Sequence, residues 1–207
     1  MRSLYTNSVD FGRLESHPPK IKRIHHVAYR CKDAKETVEF YQDVLNMDFQ
    51  LAIAEDKVPS TKEPDPYMHV FLDAGMGNVL AFFELPNSPP ISKDPATPDW
   101  VQHIAFEVEF PEDLLEVKYR AENYGLDVLG PINHTIFKSI YFFDPNGHRV
   151  EIAVNTRRNG DLERLNAVAW DMLEEWSQTK KAPRAAAWLH EKEFSCKTVR
   201  LTKVVCT

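Results

Sequence analysis

Two histidines occupy matching positions in two similar stretches of this sequence. His26 lies in the alternating run 24–30 (IHHVAYR), and His103 lies in the run 101–106 (VQHIAF). In both runs the apolar residues that alternate with the histidine define one face of a β-strand, so both histidines project from the opposite face. A single strand histidine is usually structural, but two in the same phase of a repeated strand indicate a shared metal site.

A carboxylate in the second stretch is the third candidate ligand. Glu151 follows the turn at residues 144–147 (DPNG) and alternates with Val150 and Ile152, which favour the core. An enclosed carboxylate is costly unless it pairs with a cation or a metal, and Arg149 is the alternative partner. Two histidines and one carboxylate leave coordination positions free for substrate and oxygen, an arrangement that suits non-haem Fe(II).

The elements that must position these residues occur twice in the order βαβββ. The first helix is predicted to begin after Asp33, because Glu36 lies three residues further on, as in a capping box. The predicted strands and helices occupy residues 24–30, 33–45, 49–54, 68–73 and 78–85, then 101–106 and 111–124 and three more strands to residue 154. The predicted fold is therefore α+β, with two βαβββ modules paired in one cupped mixed sheet.

The predicted organisation is one domain with an appendage at each end. An N-terminal arm (1–22) precedes the two modules, residues 23–87 and 100–155, which form the domain 23–155. A stretch rich in Pro, Ser and Asp separates the modules, and a helical extension (156–207) follows them. Its first helix is predicted from Asp161, with a shorter one from Pro183. An apolar stripe of the first helix is expected to bury Leu165, Met172 and Trp176 on its own sheet, which is the default, over the pocket mouth or against another subunit.

Composition excludes several classes of function. The 207 residues carry 25 basic and 31 acidic side chains, interspersed, and a formal charge of -6, so a nucleic-acid partner is not expected. No apolar run approaches the roughly 20 residues that span a bilayer, so a membrane partner is not expected either. Three cysteines without motif spacing indicate free thiols in a reducing cytoplasm.

The motifs together resemble the vicinal oxygen chelate superfamily of glyoxalases, epimerases, resistance proteins and extradiol dioxygenases. The resemblance covers about residues 22–155 and is carried by HVAY, HIAF and DPNGHRVE. It implies that His26, His103 and Glu151 occupy the metal-ligand positions of that superfamily.

A longer motif resembles the signature of extradiol ring-cleaving dioxygenases. The run INH, five residues, IY, two residues, DPNG and then Glu151 carries this resemblance. It implies that Tyr141 lies beside iron as a hydrogen-bond donor to a bound catecholate and that His134 is an acid–base group. The structural alternative is a half-buried strand aromatic and a loop histidine. The implied activity is Fe(II)-dependent cleavage of a small aromatic diol by O2 in aromatic hydrocarbon catabolism, and a homodimer is one expected assembly.

The sequence does not decide whether the metal site has a fourth protein ligand. Glyoxalases are known for four protein ligands, and Glu84 ends the last strand of the first module, where the fourth would lie. Strand parity alone does not decide whether Glu84 or Ala81 faces the concave side. Aligning Gly77 with Gly147 favours Ala81. His69 either lines the concave face or is a structural residue of the sheet.

Two other functions remain as alternatives. One is a glyoxalase- or epimerase-like isomerase or lyase, in which Ni, Co, Zn or Mn stabilises an enediolate and Glu84 or Glu151 moves the proton. The other is a non-catalytic protein of the resistance type that binds a small molecule in the cup. The fold alone does not distinguish these functions, whereas metal content and a panel of substrates would.

Overall fold

A computed structural model describes residues 20–185 of the chain. The first module contains β1 (Val27–Cys31), α1 (Ala34–Leu45), β2 (Phe49–Lys57), β3 (Pro64–Asp73) and β4 (Val79–Glu84). The second contains β5 (Ile104–Val108), α2 (Pro111–Asn123), β6 (Leu129–Asn133), β7 (Phe137–Phe143) and β8 (Arg149–Asn155), and α3 (Asp161–Thr179) follows. The α+β class and the repeated βαβββ order are confirmed. The predicted N-terminal arm lies almost entirely outside the described residues, as does most of the helix predicted from Pro183.

Local sequence explains the first helix well. Asp33 is the N-cap of α1, and its side chain accepts a hydrogen bond of 2.9 Å from the backbone N–H of Glu36, as predicted. The helix ends at Asn46, which adopts the left-handed conformation that closes many helices. Between the two ends, the buried positions recur every three or four residues and face the sheet.

The strands form two four-stranded sheets with the same internal order. The orders are β1-β4-β3-β2 and β5-β8-β7-β6, with a parallel first pair and antiparallel pairs after it. Within the described residues the two sheets share no strand pairing, so the expected cupped sheet is divided into two. The registers correspond, because Ala81 pairs with Ala28 in the first sheet as Glu151 pairs with Ala105 in the second.

One hydrophobic core joins the two modules. Buried residues of both sheets and both helices belong to it, with Phe82 and Phe142 among the largest. Polar contacts between the modules support it: the Tyr41 hydroxyl donates to Asp144 at 3.2 Å, and the Lys32 N–H donates to Asn146 at 2.8 Å. Because the helix-covered faces share this core, the other faces of the sheets point away from each other.

These two remaining surfaces are called the outer faces. Strand alternation assigns the residues of each outer face. The first outer face carries Ala28, Arg30, His69, Phe71, Ala81 and Phe83, with His26 just before β1. The second outer face carries Ala105, Glu107, Ser139, Tyr141, Glu151 and Ala153, with His103 just before β5.

The C-terminal helix α3 begins at Asp161 as predicted but is not docked as expected. Asp161 is buried and pairs with Arg158 at 3.2 Å. Trp176 is 47% exposed, and Leu165 and Met172 are only partly buried. The apolar stripe of α3 is therefore left largely uncovered by the described part of the chain. None of the helices within residues 20–185 is long and apolar enough to cross a membrane.

Candidate metal centre

Glu151 is a buried carboxylate at the centre of the second outer face. Its side chain is 4% exposed, and its Oε2 lies 3.0 Å from Nε2 of His103. The hydroxyl of Ser139 donates to the other carboxylate oxygen. A buried carboxylate needs such partners, because its desolvation would otherwise be costly. The structure thus brings together two of the three predicted metal ligands.

The orientation of His103 fits a cation between these two side chains. Its Nδ1 lies 3.0 Å from the carbonyl oxygen of Val101, which only accepts, so Nδ1 carries a hydrogen. In the neutral ring, Nε2 then presents a lone pair to the Glu151 carboxylate, and two acceptors face each other. Either a second proton or a metal ion resolves this conflict. Histidines that bind metals usually donate their other N–H to a carbonyl or a carboxylate, as His103 does here.

Tyr141 and His134 form a second pair beside the first. Tyr141 is the register partner of Glu151 across the β7–β8 ladder, and the ring of His103 meets its ring edge-on at 6.2 Å. The Tyr141 hydroxyl lies 2.9 Å from Nε2 of His134. Burial, together with the charge of Glu151, raises the pKa of Tyr141, so its hydroxyl stays protonated and donates at neutral pH.

A tight approach of β6 to β7 places His134. Gly130 has φ of +111°, and a side-chain carbon there would lie 2.6 Å from the carbonyl oxygen of Ser139, so only glycine fits. After β6 the N–H of His134 donates to the carbonyl of Phe137 at 2.9 Å. The two rings stack with centroids 4.8 Å apart, which holds the imidazole toward Tyr141.

Sequence reasoning missed Ser139 and gave Arg149 a different partner. Ser139 lies two positions before Tyr141 on the same strand, so strand parity from Tyr141 would have found it. Arg149, considered as the partner of Glu151, instead lies over the Tyr141 ring, with Cζ 4.4 Å from the ring centroid. Its Nη1 donates to the carbonyl of Asp99 at 3.2 Å. This contact ties the linker between the modules to the cluster.

His26, the remaining predicted ligand, lies on the other outer face. Its Nδ1 is 2.8 Å from Nδ1 of His25, and its ring centroid is 6.5 Å from that of His69. Within residues 20–185 no group of three or more His, Cys, Asp or Glu side chains is placed to hold a metal ion. The expectation that one chain brings both histidines together is therefore wrong, because the shared core turns the two outer faces apart.

Glu84 also lies away from the other candidate ligands. Its Oε2 accepts a hydrogen bond of 2.7 Å from the N–H of Ala34 at the N-terminus of α1. A carboxylate is favourable there, because the first N–H groups of a helix lack partners within it. The residue that pairs in register as Glu151 does is Ala81, in agreement with the alignment of Gly77 with Gly147.

A cavity of about 500 Å³ opens beside His103. It lies between the linker and the start of β8, and His103, Arg149, Lys93 and Phe143 are among its lining residues. Its volume is in the range of sites for small organic ligands. His103 and Arg149 line this cavity, whereas Glu151, Tyr141 and His134 do not, so it adjoins the cluster at one edge.

Comparison with known proteins places this fold in a family. The model of the Glyoxalase/Bleomycin resistance protein/Dioxygenase superfamily matches residues 23–152. The chain belongs to this superfamily. Similar solved structures of superfamily proteins include a glyoxalase/dioxygenase from Nostoc punctiforme, with 21% identity and a TM-score of 0.51, covering 70% of this chain and 99% of that chain. A glyoxylase/bleomycin resistance protein/dioxygenase domain from Frankia sp. EAN1pec has 17% identity and a TM-score of 0.53, covering 66% and 99%.

A third similar structure contains a metal. It is the genomically encoded fosfomycin resistance protein FosX from Listeria monocytogenes, complexed with Mn(II) and a sulfate ion. FosX is 20% identical to this chain, with a TM-score of 0.47, and the match covers 66% of this chain and 95% of the FosX chain. At these identities the similarities describe the fold, and the residues of this chain must carry the argument about its chemistry.

Proposed function

We propose that this protein is an Fe(II)-dependent extradiol dioxygenase that cleaves a catechol-type diol with O2. One observation carries the proposal: a candidate ligand pair, His103 and Glu151, lies beside a hydrogen-bonded pair, Tyr141 and His134. The candidate metal ligands are the residue before β5 and a residue of β8, and the candidate proton-transfer groups are a residue of β7 and one in the turn that follows β6. Imidazole and carboxylate ligands suit Fe(II), and few protein ligands leave room for two reactants.

A second copy of the chain is proposed to supply His26. A two-fold axis that places the first outer face of each copy against the second outer face of the other forms two identical sites. The first outer face is suited to burial, since Leu51 and Ile53 on its edge strand are 48% and 43% exposed. His26 then completes the ligand set with His103 and Glu151 of the other copy.

The residues of the second outer face have separate roles in this reaction. Ser139 and His103 hold the Glu151 carboxylate in one orientation. Bound Fe(II) would supply one-electron chemistry and coordination positions for the diol. Tyr141 donates a hydrogen bond to a substrate oxygen, and His134, linked to it at 2.9 Å, exchanges a proton with the substrate.

The arrangement gives less support to an isomerase. In that reaction a carboxylate must be free to move a proton between two carbons of the substrate. Glu84 is held by the N–H of Ala34, and Ala81 stands at the corresponding ligand position. Glu151 would then have to bind the metal and move the proton, whereas the dioxygenase uses His134 for the proton.

Metal analysis and oxygen consumption test the proposed function. Protein purified without oxygen should contain iron or take up Fe(II) stoichiometrically, and it should consume O2 with at least one member of a broad catechol panel. The products should absorb as yellow ring-fission compounds. No O2 consumption with any catechol, together with conversion of a hemithioacetal by the Ni, Co, Zn or Mn protein, would replace the proposal with the isomerase. Absence of metal uptake would favour a non-catalytic binder.

Complementation tests the proposed sharing of the site. His26→Ala and Glu151→Ala should each inactivate the protein when purified alone. After unfolding and refolding as a mixture, a mixed dimer has one doubly altered site and one intact site, so activity should return. A mixture of His103→Ala and Glu151→Ala is the control, because both changes fall in the same half-site and no intact site forms. Equal recovery in both mixtures, or none in either, would contradict the shared site.

A further inference from the structure

Two buried polar atoms in one row of the first outer face lack hydrogen-bond partners. Among the described residues, three buried side-chain polar atoms have no partner, and Arg30 Nε and His69 Nε2 are two of them. Phe83 lies between these side chains, since it pairs in register with Arg30 on β1 and with His69 on β3. Buried polar groups without partners are rare in native proteins and are costly. Two in one row point to a partner that lies beyond the described residues.

Aromatic rings lie in and next to this row. The rings of His69 and Phe83 stack with centroids 3.5 Å apart and an interplanar angle of 18°. Phe71 lies next to His69, with centroids 4.0 Å apart. These rings form an apolar surface that an aromatic ligand can contact. His26 is at the end of this surface, 6.5 Å from His69, so a ligand on the row lies beside a candidate metal ligand.

Arg30 makes an anion the most suitable partner. Its guanidinium is always charged, and its planar donors match a carboxylate. Within residues 20–185 no acidic side chain forms an ion pair with Arg30. Arg30 and His69 are only partly buried as residues, so both side chains keep some surface that an anion can contact. The corresponding row of the second module has Glu107 in the place of Arg30, so this cation belongs to the first module alone.

We infer that Arg30, Phe83 and His69 bind an anionic substituent of the substrate, with a carboxylate as its chemical class. Arg30 and His69 donate hydrogen bonds to the carboxylate, while Phe83 and Phe71 contact the ring that bears it. Resting on the proposed function, the inference narrows the substrate to an aromatic diol that carries a carboxylate on or near its ring. A neutral diol lacks the anionic group that the Arg30 guanidinium favours as a partner.

Binding of benzoate tests this subsite without reference to catalysis. Ligand-observed NMR detects weak binding, and benzamide serves as the neutral probe of nearly the same shape. Arg30→Met keeps the apolar stem and removes the charge, and it should weaken benzoate binding at least tenfold while benzamide binding stays the same. Arg184→Met, an exposed position after α3, is the matched control and should bind benzoate as the unaltered protein does. Benzoate affinity that is equal in the Arg30→Met and unaltered proteins would overturn the subsite.

His69→Phe is the second variant, and it is chosen so that weaker benzoate binding cannot be attributed to misfolding. It keeps the stacking on Phe83 and removes the unpartnered nitrogen, so its melting temperature should not fall. Benzoate binding should weaken severalfold. An unchanged benzoate affinity in a folded His69→Phe protein would remove His69 from the subsite.

Kinetics with catechol and 3,4-dihydroxybenzoate connect the subsite to the reaction. The unaltered protein should prefer the carboxylated diol at least tenfold in kcat/KM, and Arg30→Met should lose this preference through KM, with kcat nearly unchanged. Turnover of both diols without preference would overturn the inference. If neither diol is turned over while benzoate binding still requires Arg30, the dioxygenase proposal fails and the anion subsite stands.

Discussion

The two modules share a topology and a register but differ on their outer faces. Residues paired in register across neighbouring strands form rows on each outer face. The central row contains Ala105, Glu151 and Tyr141 in the second module and Ala28, Ala81 and Phe71 in the first. In this row, Glu151 and Tyr141 therefore have the apolar counterparts Ala81 and Phe71. The repeated core faces maintain the fold, and the outer faces are free to differ.

The neighbouring rows differ in the sign of their charged residue. In the first module this row contains Arg30, Phe83 and His69, and in the second it contains Glu107, Ala153 and Ser139, again in strand order. Under the two proposals, the second module carries the reacting groups and the first recognises the substrate and adds His26. A duplicated scaffold thus provides two different surfaces that become one site only across two copies.

The largest effect is expected from the carboxylate that distinguishes the central rows. Glu151→Ala should abolish stoichiometric Fe(II) binding, measured by metal analysis, because His103 loses its partner ligand. Glu107→Ala removes a carboxylate from the adjacent row of the same face and should leave the metal content unchanged. Full iron content in a folded Glu151→Ala protein would mean that the metal, if any, binds elsewhere.

The next largest effect is expected from removal of the Tyr141 hydroxyl, which the corresponding residue Phe71 of the first module lacks. Tyr141→Phe should keep the metal and lower turnover with O2 by about 10²- to 10⁴-fold, the range for loss of an acid–base group. Tyr119→Phe removes the hydroxyl of an exposed tyrosine on α2, away from both outer faces, and should have little effect on turnover. Unimpaired turnover in Tyr141→Phe would reduce Tyr141 to a packing residue.

Stability at high pH should depend on Cys31, a buried residue on the core face of the first module. Burial raises the pKa of the Cys31 thiol from 9.0 to about 11. Between these values the unfolded chain releases the proton while the folded chain keeps it, so the free energy of unfolding falls as the pH rises. From pH 8 to pH 10 the unaltered protein should lose about 1 kcal/mol more than Cys31→Ala, measured by urea denaturation. Parallel losses would show that Cys31 titrates alike in both states.

The smallest effect should come from the carboxylate at the edge of the first module. Glu84→Ala removes the partner of the Ala34 N–H and should lower the free energy of unfolding by about 1 kcal/mol, as loss of a helix cap does. Metal content and turnover should not change. Loss of metal in this variant would return Glu84 to the ligand set and weaken the contrast between the modules.

Local patterns in the sequence were sufficient to predict the helices and strands and the side-by-side placement of Tyr141 and Glu151. The period of two in the strands separates Glu151 from Val150 and Ile152, and the Asp33 cap marks the start of α1, because both depend on neighbours along the chain. The matching phases of the two histidines placed each on an outer face. The spacing in the dioxygenase-like motif put Tyr141 beside Glu151, which the ladder between β7 and β8 confirms.

Tertiary structure alone decided how these faces are arranged. Strand period assigns a side chain to a face, but the packing of α1 and α2 into one shared core decides where that face points. This packing separates His26 from Glu151, which is why we propose that another copy completes the ligand set. Register, set by ladder pairing between distant segments, decided that Ala81 and not Glu84 matches Glu151, and it aligned Arg30 with His69 across Phe83. Such long-range pairings depend on contacts that no local pattern encodes.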